Sequence, residues 1–169
     1  MVLNSEEKFW SGNFGDNYIE RNNKKDLIKN NLILFKKILE NKNFSNYIEF
    51  GANIGLNIMA LNKLFPNQKS FAVEINKKAC KELKKNTKDC QIFNGSIFDY
   101  KKYSKEFMTN CWDLVIVKTV LIHINPKDLR KIYKILQKSS KKYLLLCEYY
   151  SPNPVMVKYR GHKNKLFKR

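Results

Sequence analysis

From residue 26 to residue 150, short apolar segments of strand length alternate with segments whose apolar residues recur at helical spacing. This alternation constrains the fold more than any other feature of the chain. Helices that follow strands as crossovers make neighbouring strands parallel and cover both faces of the sheet. Several of the strand segments are apolar throughout, as strands buried on both faces are.

"DLIKNNLILFKKILEN" places Leu27, Ile28, Leu32, Phe35, Ile38 and Leu39 at helical spacing, with Asp26 able to cap the start. "NYIEF" reads as the first strand, and "LNIMALNKLF" as a helix stopped by Pro66. "KSFAVEI" is a second strand. Asn76 then caps the helix "KKACKELKKNT". "CQIF" is a third strand, followed by the turn "NGS". "WDLVIVKTVLIHI" contains a fourth, and Asn125-Pro126-Lys127-Asp128 starts a helix that runs to about Ser140. "KYLLLCEYY" is a fifth strand, and "SPNP" a loop. The expected architecture is α/β: a doubly wound, mostly parallel, Rossmann-like sheet in one domain. Residues 1–25 form a polar and aromatic lead-in with room for a short helix. Residues 26–150 form the core, and residues 151–169 a tail.

At the end of the first strand stands "NYIEFGANIGLN". Gly51 and Gly55 allow a tight turn and close approach of backbone to a ligand. Dinucleotide folds use G-x-G-x-x-G, and P-loops end in Gly-Lys-Ser/Thr; the pattern here is neither. Glu74 ends the second strand, one unit along. A carboxylate there can accept two ribose hydroxyl hydrogen bonds in the crevice where strand order reverses. A ligand-free glycine turn and a surface carboxylate are the plain alternatives. The combination of turn and strand-end acid is the more specific signal.

The formal charge is +18, carried by 33 Lys and Arg against 15 Asp and Glu. The bases are nearly all Lys, scattered in pairs along helix faces, and Asn is abundant. That is the imprint of an AT-rich coding sequence and of solvated faces rather than of a phosphate track. Non-specific binding of polyanions at low salt is expected. No apolar run reaches the length of a membrane span, and the N-terminus lacks the pattern of a signal peptide. Cys80, Cys90, Cys111 and Cys147 have no metal-ligand spacing. Buried free thiols at Cys111 and Cys147, and a cytoplasmic setting, are the expectation. No metal site is expected.

"YIEFGANIGLNIMAL", "AVEIN", "NGSIFD" and "WDLVIVKTVLIHINP" together resemble class I S-adenosylmethionine-dependent methyltransferases. The resemblance is closer still to the pseudaminic acid biosynthesis-associated methylases. It rests there on an N-terminal block with Phe9-Trp10 and "FGDNYIERN", and a late block with "EYYSPNP" and "YRGHKNKLFKR". It covers nearly the whole chain. It implies S-adenosylmethionine as cofactor and S-adenosylhomocysteine as product.

Residue by residue, the resemblance places Glu49 at the amino end of the cofactor's methionine moiety. Gly51, Ala52, Asn53 and Gly55 line that moiety and the ribose, with Asn53 where many relatives carry glycine. Glu74 binds the ribose hydroxyls, and Ile75 packs on the adenine. Ser96 and Ile97 border the adenine; many relatives carry an acid at the Ser96 position, and a turn-stabilising hydroxyl is the alternative reading there. Lys118 and Thr119 face the methionine part, unless Lys118 reaches to solvent. Tyr18 and Arg21 close over the cofactor and pair with its carboxylate, Arg through its bidentate fork. The alternative for Tyr18 is packing on the sheet edge.

His123, shortly after the fourth strand, is the candidate catalytic base for an attacking hydroxyl, although "LIHIN" also reads as a structural apolar segment. Glu148, Tyr149, Tyr150, Tyr159, Arg160 and His162 are substrate-side candidates suited to an anionic sugar, or else an ordered loop. The implied reaction is O- or N-methylation of a small acceptor, a nonulosonic (pseudaminic) acid or nucleotide-sugar intermediate. A non-catalytic cofactor-binding domain and a basic RNA-binding protein or RNA methyltransferase are the competing functions.

Class I methyltransferases usually finish with an antiparallel strand pair, and no such pair is expected here before Arg169. Three readings stay open: a truncated product, a fragment, or a short form. In the last, the apolar edge of the fifth strand is covered by forming a homodimer.

Overall fold

The computed structural model describes residues 3–22 and 25–168, so Met1, Val2, Asn23, Lys24 and Arg169 of the lead-in and the late block lie outside the described residues. Five parallel strands form one sheet: β1 (Asn46–Phe50), β2 (Lys69–Glu74), β3 (Gln91–Asn94), β4 (Trp112–Lys118) and β5 (Ser140–Cys147). Their order is β3-β2-β1-β4-β5. The order reverses between β1 and β4, so their carboxyl ends diverge into a crevice. In register, Glu49 stands opposite Ala72 on one side and Ile116 on the other.

Alternation along each strand divides the interior into two cores. Tyr47, Ala72, Leu114 and Ile116 face α3 (Lys25–Leu39) and α4 (Leu56–Leu64), packing with Phe35, Leu39, Ile58 and Leu61. Ile48, Phe50, Phe71, Val73, Val115 and Val117 face the other side. They pack with Tyr103 of α6 (Tyr100–Glu106) and with Ile132 and Leu136 of α7 (Leu129–Ser139). On α5 (Lys77–Asn86), Ala79 and Leu83 are buried, and the Asn76 side chain caps its start, accepting from the Ala79 N–H at 2.8 Å.

Among the described residues the sheet ends at β5, which pairs with β4. Contrary to the expectation that no antiparallel pair precedes Arg169, the tail forms a separate hairpin, β6 (Val155–Tyr159) and β7 (His162–Lys168). It forms its own two-stranded sheet and does not extend the main one. The lead-in is likewise more ordered than expected. It folds into α1 (Ser5–Ser11) and α2 (Asn13–Asn22). Helix α6 was not anticipated, and the Asn125-Pro126 start is a single 3-10 turn that leads into α7. All four cysteines are free, and Cys111 and Cys147 are half-buried rather than buried; Cys147 belongs to the edge strand. No described helix is long and apolar enough to cross a membrane.

Candidate functional site

The glycine turn opens directly off β1. Gly51 has φ +71°, Asn53 +49° and Gly55 +83°, three left-handed residues within five positions. The Gly51 N–H donates to the Val73 carbonyl at 2.8 Å. A Cβ on Gly51 would stand 2.5 Å from Cγ2 of Val120, so this position needs glycine for both conformation and space.

Glu74 is buried at the end of β2, and its carboxylate organises the turn. Its Oε2 accepts from the Asn53 N–H and its Oε1 from the Asn76 N–H, each at 2.7 Å. Burial raises its pKa despite those amide hydrogen bonds. Each oxygen keeps a further lone pair for a hydroxyl donor.

Glu49 lies one strand inward, also buried. Its Oε1 accepts from Asn57 Nδ2 at 2.5 Å, while its Oε2 is buried with no hydrogen-bond partner among the described residues. Burial pushes its pKa up to about 7, against the opposing pull of Asn57 and the Lys118 charge. A buried carboxylate oxygen without a donor is costly, and an ammonium group is the donor that would relieve it. The two carboxylates are acceptors of the kind that the ammonium and ribose hydroxyls of an aminoacyl nucleoside require.

The crevice has two compartments that share Tyr18, Gly51 and Asn53. The first, a cavity of about 150 Å³, lies between Glu74, Ile75, Ser96, Ile97 and the N-terminal helices. The second runs along Ala52, Asn57, Lys118 and Thr119 beneath Asn31. Gly55 sits behind the turn as the residue before α4. Gly51, Ala52, Asn53, Glu74, Ile75, Ser96, Ile97, Lys118, Thr119 and Tyr18 thus line one crevice, and Glu49 lies behind its wall, bonded to the lining residue Asn57.

Two covers close over it, and they are the two ends of the chain. Asn76 Nδ2 donates to the Trp10 carbonyl at 3.2 Å and to Asp16 Oδ1 at 2.8 Å, fastening α1 and α2 to the end of β2. Gly15 makes that approach possible, since a Cβ there would lie 1.9 Å from the Trp10 carbonyl oxygen. The hairpin meets the helices through rings. Phe9 packs edge-on to His162 at 4.9 Å, and Phe14 lies 5.7 Å from Tyr159. The Arg21 guanidinium lies over the rings of Phe14 and Tyr18 at 5.3 and 5.4 Å, with Nε and Nη2 buried and unpartnered.

His123 lies beneath both covers, with the Trp10 and Tyr159 rings 4.5 and 5.1 Å away. Its Nδ1 is 2.7 Å from the Lys165 carbonyl of β7. A carbonyl only accepts, so Nδ1 carries the hydrogen and Nε2 keeps its lone pair. Burial pulls its pKa down to about 4, which keeps the ring neutral.

Of the substrate-side candidates, Tyr159 and His162 join the aromatic cover, and Arg160 is exposed in the hairpin turn. Tyr149 and Tyr150 point to solvent away from the crevice, 58% and 82% exposed. The Glu148 carboxylate accepts from the N–H groups of Val120 and Leu121 at 2.9 Å and of Ile122 at 3.3 Å. It is spent on the turn that carries His123. Sequence reasoning missed Glu6, Glu7, Asn57 and the clamping role of Asn76; the signal for Glu7 was the Asn4-x-x-Glu7 capping box.

No family model matches the chain, and no curated protein matches it. Solved structures do. The plantazolicin methyltransferase BpumL, solved with a pentazolic desmethylplantazolicin analogue and S-adenosylhomocysteine, superposes with a TM-score of 0.61 at 10% identity, over 86% of this chain and 57% of its own. A SAM-dependent methyltransferase from Archaeoglobus fulgidus gives 0.58 at 15% identity, over 78% and 57%. The methyltransferase domain of the bacterial CtHen1-CN structure gives 0.55 at 17% identity, over 70% and 65%. The chain spans about a third to two thirds of the length of such structures, 34% of one from Nostoc punctiforme and 65% of the last. At these identities the likeness establishes the architecture: the chain has the Rossmann-like fold of class I methyltransferases.

Proposed function

We propose that this protein binds S-adenosylmethionine and methylates an oxygen or nitrogen of a small, anionic acceptor. The acceptor class is a nonulosonic acid or nucleotide-sugar intermediate, as the two terminal blocks of the sequence imply. The observation that carries the cofactor reading is the unpartnered Oε2 of buried Glu49, one strand from a Glu74 carboxylate with lone pairs to spare. Glu49 holds the cofactor's ammonium, Glu74 its ribose, and Ile75 and Ile97 its base. The cofactor supplies an activated methyl group on a sulfonium. The chain supplies orientation, exclusion of water by the aromatic cover, and a proton acceptor at His123 Nε2. The buried Arg21 guanidinium and the nearby Arg160 and Tyr159 offer charge and donors to an anion.

Calorimetry with S-adenosylhomocysteine tests the binding reading, and a methyl-release assay on nonulosonic acids and nucleotide sugars tests the reaction. Binding without turnover on that panel would select the non-catalytic cofactor-binding domain, which the low basicity of His123 favours. RNA binding that persists at physiological ionic strength would revive the RNA-directed reading. The four free thiols support a cytoplasmic setting. Among the described residues the outer edge of β5 has no strand partner, and Leu144 and Leu146 on it are exposed. A second copy of the chain is the partner proposed for it, and a purely monomeric sedimentation profile would dismiss that partner.

A further inference from the structure

The crevice contains two carboxylates that the cofactor reading above does not use. Glu6 and Glu7 of α1 both line its outer compartment, beside Ser96 and Phe98. Glu6 is buried, and among the described residues neither Glu6 nor Glu7 has an ion-pair partner. Glu6 Oε2 accepts from the Ser5 hydroxyl at 2.8 Å, which leaves Glu7, beside Ser96, as the acid placed to meet a ligand with hydrogen-bond donors on its edge.

The order of strands says which part of the ligand arrives there. Glu49 ends β1, Glu74 ends β2, and Ser96 follows β3, which is the next strand outward. Neighbouring strands are about 5 Å apart. A ligand with its ammonium on Glu49 and its ribose on Glu74 therefore carries its base to the end of β3. Ile75 and Ile97 present apolar faces for it.

The contacts around Ser96 decide which group reads the base edge. The Ser96 hydroxyl is hydrogen-bonded to Glu7 Oε1, and its oxygen also accepts from the Phe98 N–H at 3.1 Å. The hydroxyl proton therefore goes to Glu7, and much of the acceptor capacity of Ser96 is spent. The other oxygen of Glu7 accepts from the Asn4 N–H at 2.8 Å, and Asn4 Oδ1 accepts from the Glu7 N–H at 2.8 Å. This reciprocal cap fixes the carboxylate, while Oε1 retains a lone pair. We propose that Glu7, held by Ser96 and by its own helix cap, is the residue that recognises the 6-amino group of the cofactor's purine. The acid comes from the N-terminal cover rather than from the strand end, so base recognition and closure of α1 are one event. This inference rests on the cofactor reading above.

The test is calorimetric titration with S-adenosyl-L-homocysteine and its 6-oxo analogue, S-inosyl-L-homocysteine. The 6-oxo group is an acceptor that a carboxylate repels. Wild type should prefer the 6-amino ligand by about tenfold or more, as loss of one charge-assisted hydrogen bond implies. Glu7→Gln keeps an acceptable cap residue, gains an amide donor for the 6-oxo group, and should shrink the preference to about threefold or less. Glu6→Gln should leave the preference intact. A folded Glu7→Gln protein with the wild-type preference overturns the proposal, as does loss of the preference in Glu6→Gln. Failure of wild type to bind either ligand overturns the cofactor reading itself, a distinct result.

Discussion

Glu148 holds the turn that carries His123: one carboxylate at the end of β5 accepts from three consecutive backbone N–H groups, Val120, Leu121 and Ile122. The Nδ1 of His123 is fixed from the other side by the Lys165 carbonyl. Removing the carboxylate leaves amide donors short of an acceptor at a buried turn, at a cost of about 1.5–3 kcal/mol. Glu148→Gln should therefore lower thermal stability. It should also reduce kcat while S-adenosylhomocysteine affinity stays near wild type, because the cofactor contacts lie elsewhere. An unchanged kcat in a folded, destabilised variant would separate Glu148 from the position of the imidazole.

His123 itself should show a split between chemistry and binding. The proton-acceptor role proposed for it is worth about 10²–10⁴ in kcat, and on that proposal His123→Asn should lose that factor without a matching loss of cofactor affinity. Burial holds the imidazole pKa down near 4. The rate should therefore show no His-dependent limb between pH 5 and 8, read from a kcat–pH profile of wild type against the variant.

Glu49 gives a pH dependence of opposite interest. Its pKa is raised by burial from 4.5 to about 7. Between these values the folded state holds a proton that the unfolded state has released, so stability of the free protein falls as pH rises through this window. Burial of Glu74 acts in the same direction. Binding an ammonium demands the ionised form of Glu49, so S-adenosylhomocysteine affinity should rise with pH across the same range. Glu49→Gln should flatten the affinity profile and weaken binding. A profile with the same slope in that variant would assign the titration to another group.

Much of this site was legible in the sequence, and the reasons are physical. Gly51 and Glu74 declare themselves because a left-handed turn after an apolar strand and an acid at the end of the next one are local patterns. β1, β2 and β4 are legible because both of their faces are covered, so their apolar runs are continuous, whereas β5 is an apolar run that leaves Leu144 and Leu146 exposed. The covers are less legible. Trp10 and Phe14 pack against Tyr159 and His162 from the far end of the chain, and no local pattern encodes a contact across some 150 residues. The hairpin did carry a signal: Val155, Val157 and Tyr159 alternate up to an Arg160-Gly161 turn with φ +46° and +89°, the conformation of a two-residue type I′ turn.

Glu74→Ala should weaken S-adenosylhomocysteine binding by about 1.5–3 kcal/mol through loss of its charge-assisted hydrogen bonds. The variant should also unfold earlier, because the Asn53 and Asn76 amides lose their acceptor. Calorimetry on the folded variant decides it, and unchanged affinity would remove Glu74 from the ribose.

Gly15→Ala isolates the N-terminal cover from the core. Gly15 is at an approach where a Cβ would come within 1.9 Å of the Trp10 carbonyl oxygen and 2.8 Å of Asn76 Nδ2. The first of these is backbone, so it cannot swing aside as a flexible side chain would. The substitution should lift the α1–α2 corner and break the Asn76 clamp, while the two sheet cores, which contain no residue of α1 or α2, stay packed. Amide hydrogen exchange should then accelerate in α1, α2 and the facing hairpin but not in β1, β2 or β4. Cofactor affinity should fall with it, since Tyr18, Trp10 and Glu7 all reach the crevice from this cover. By contrast Gly51→Val, with its Cβ 2.5 Å from Val120 Cγ2 and its φ of +71°, should lose binding with exchange in the cover unchanged. Equal exchange patterns in the two variants would mean that the cover and the glycine turn open as one unit.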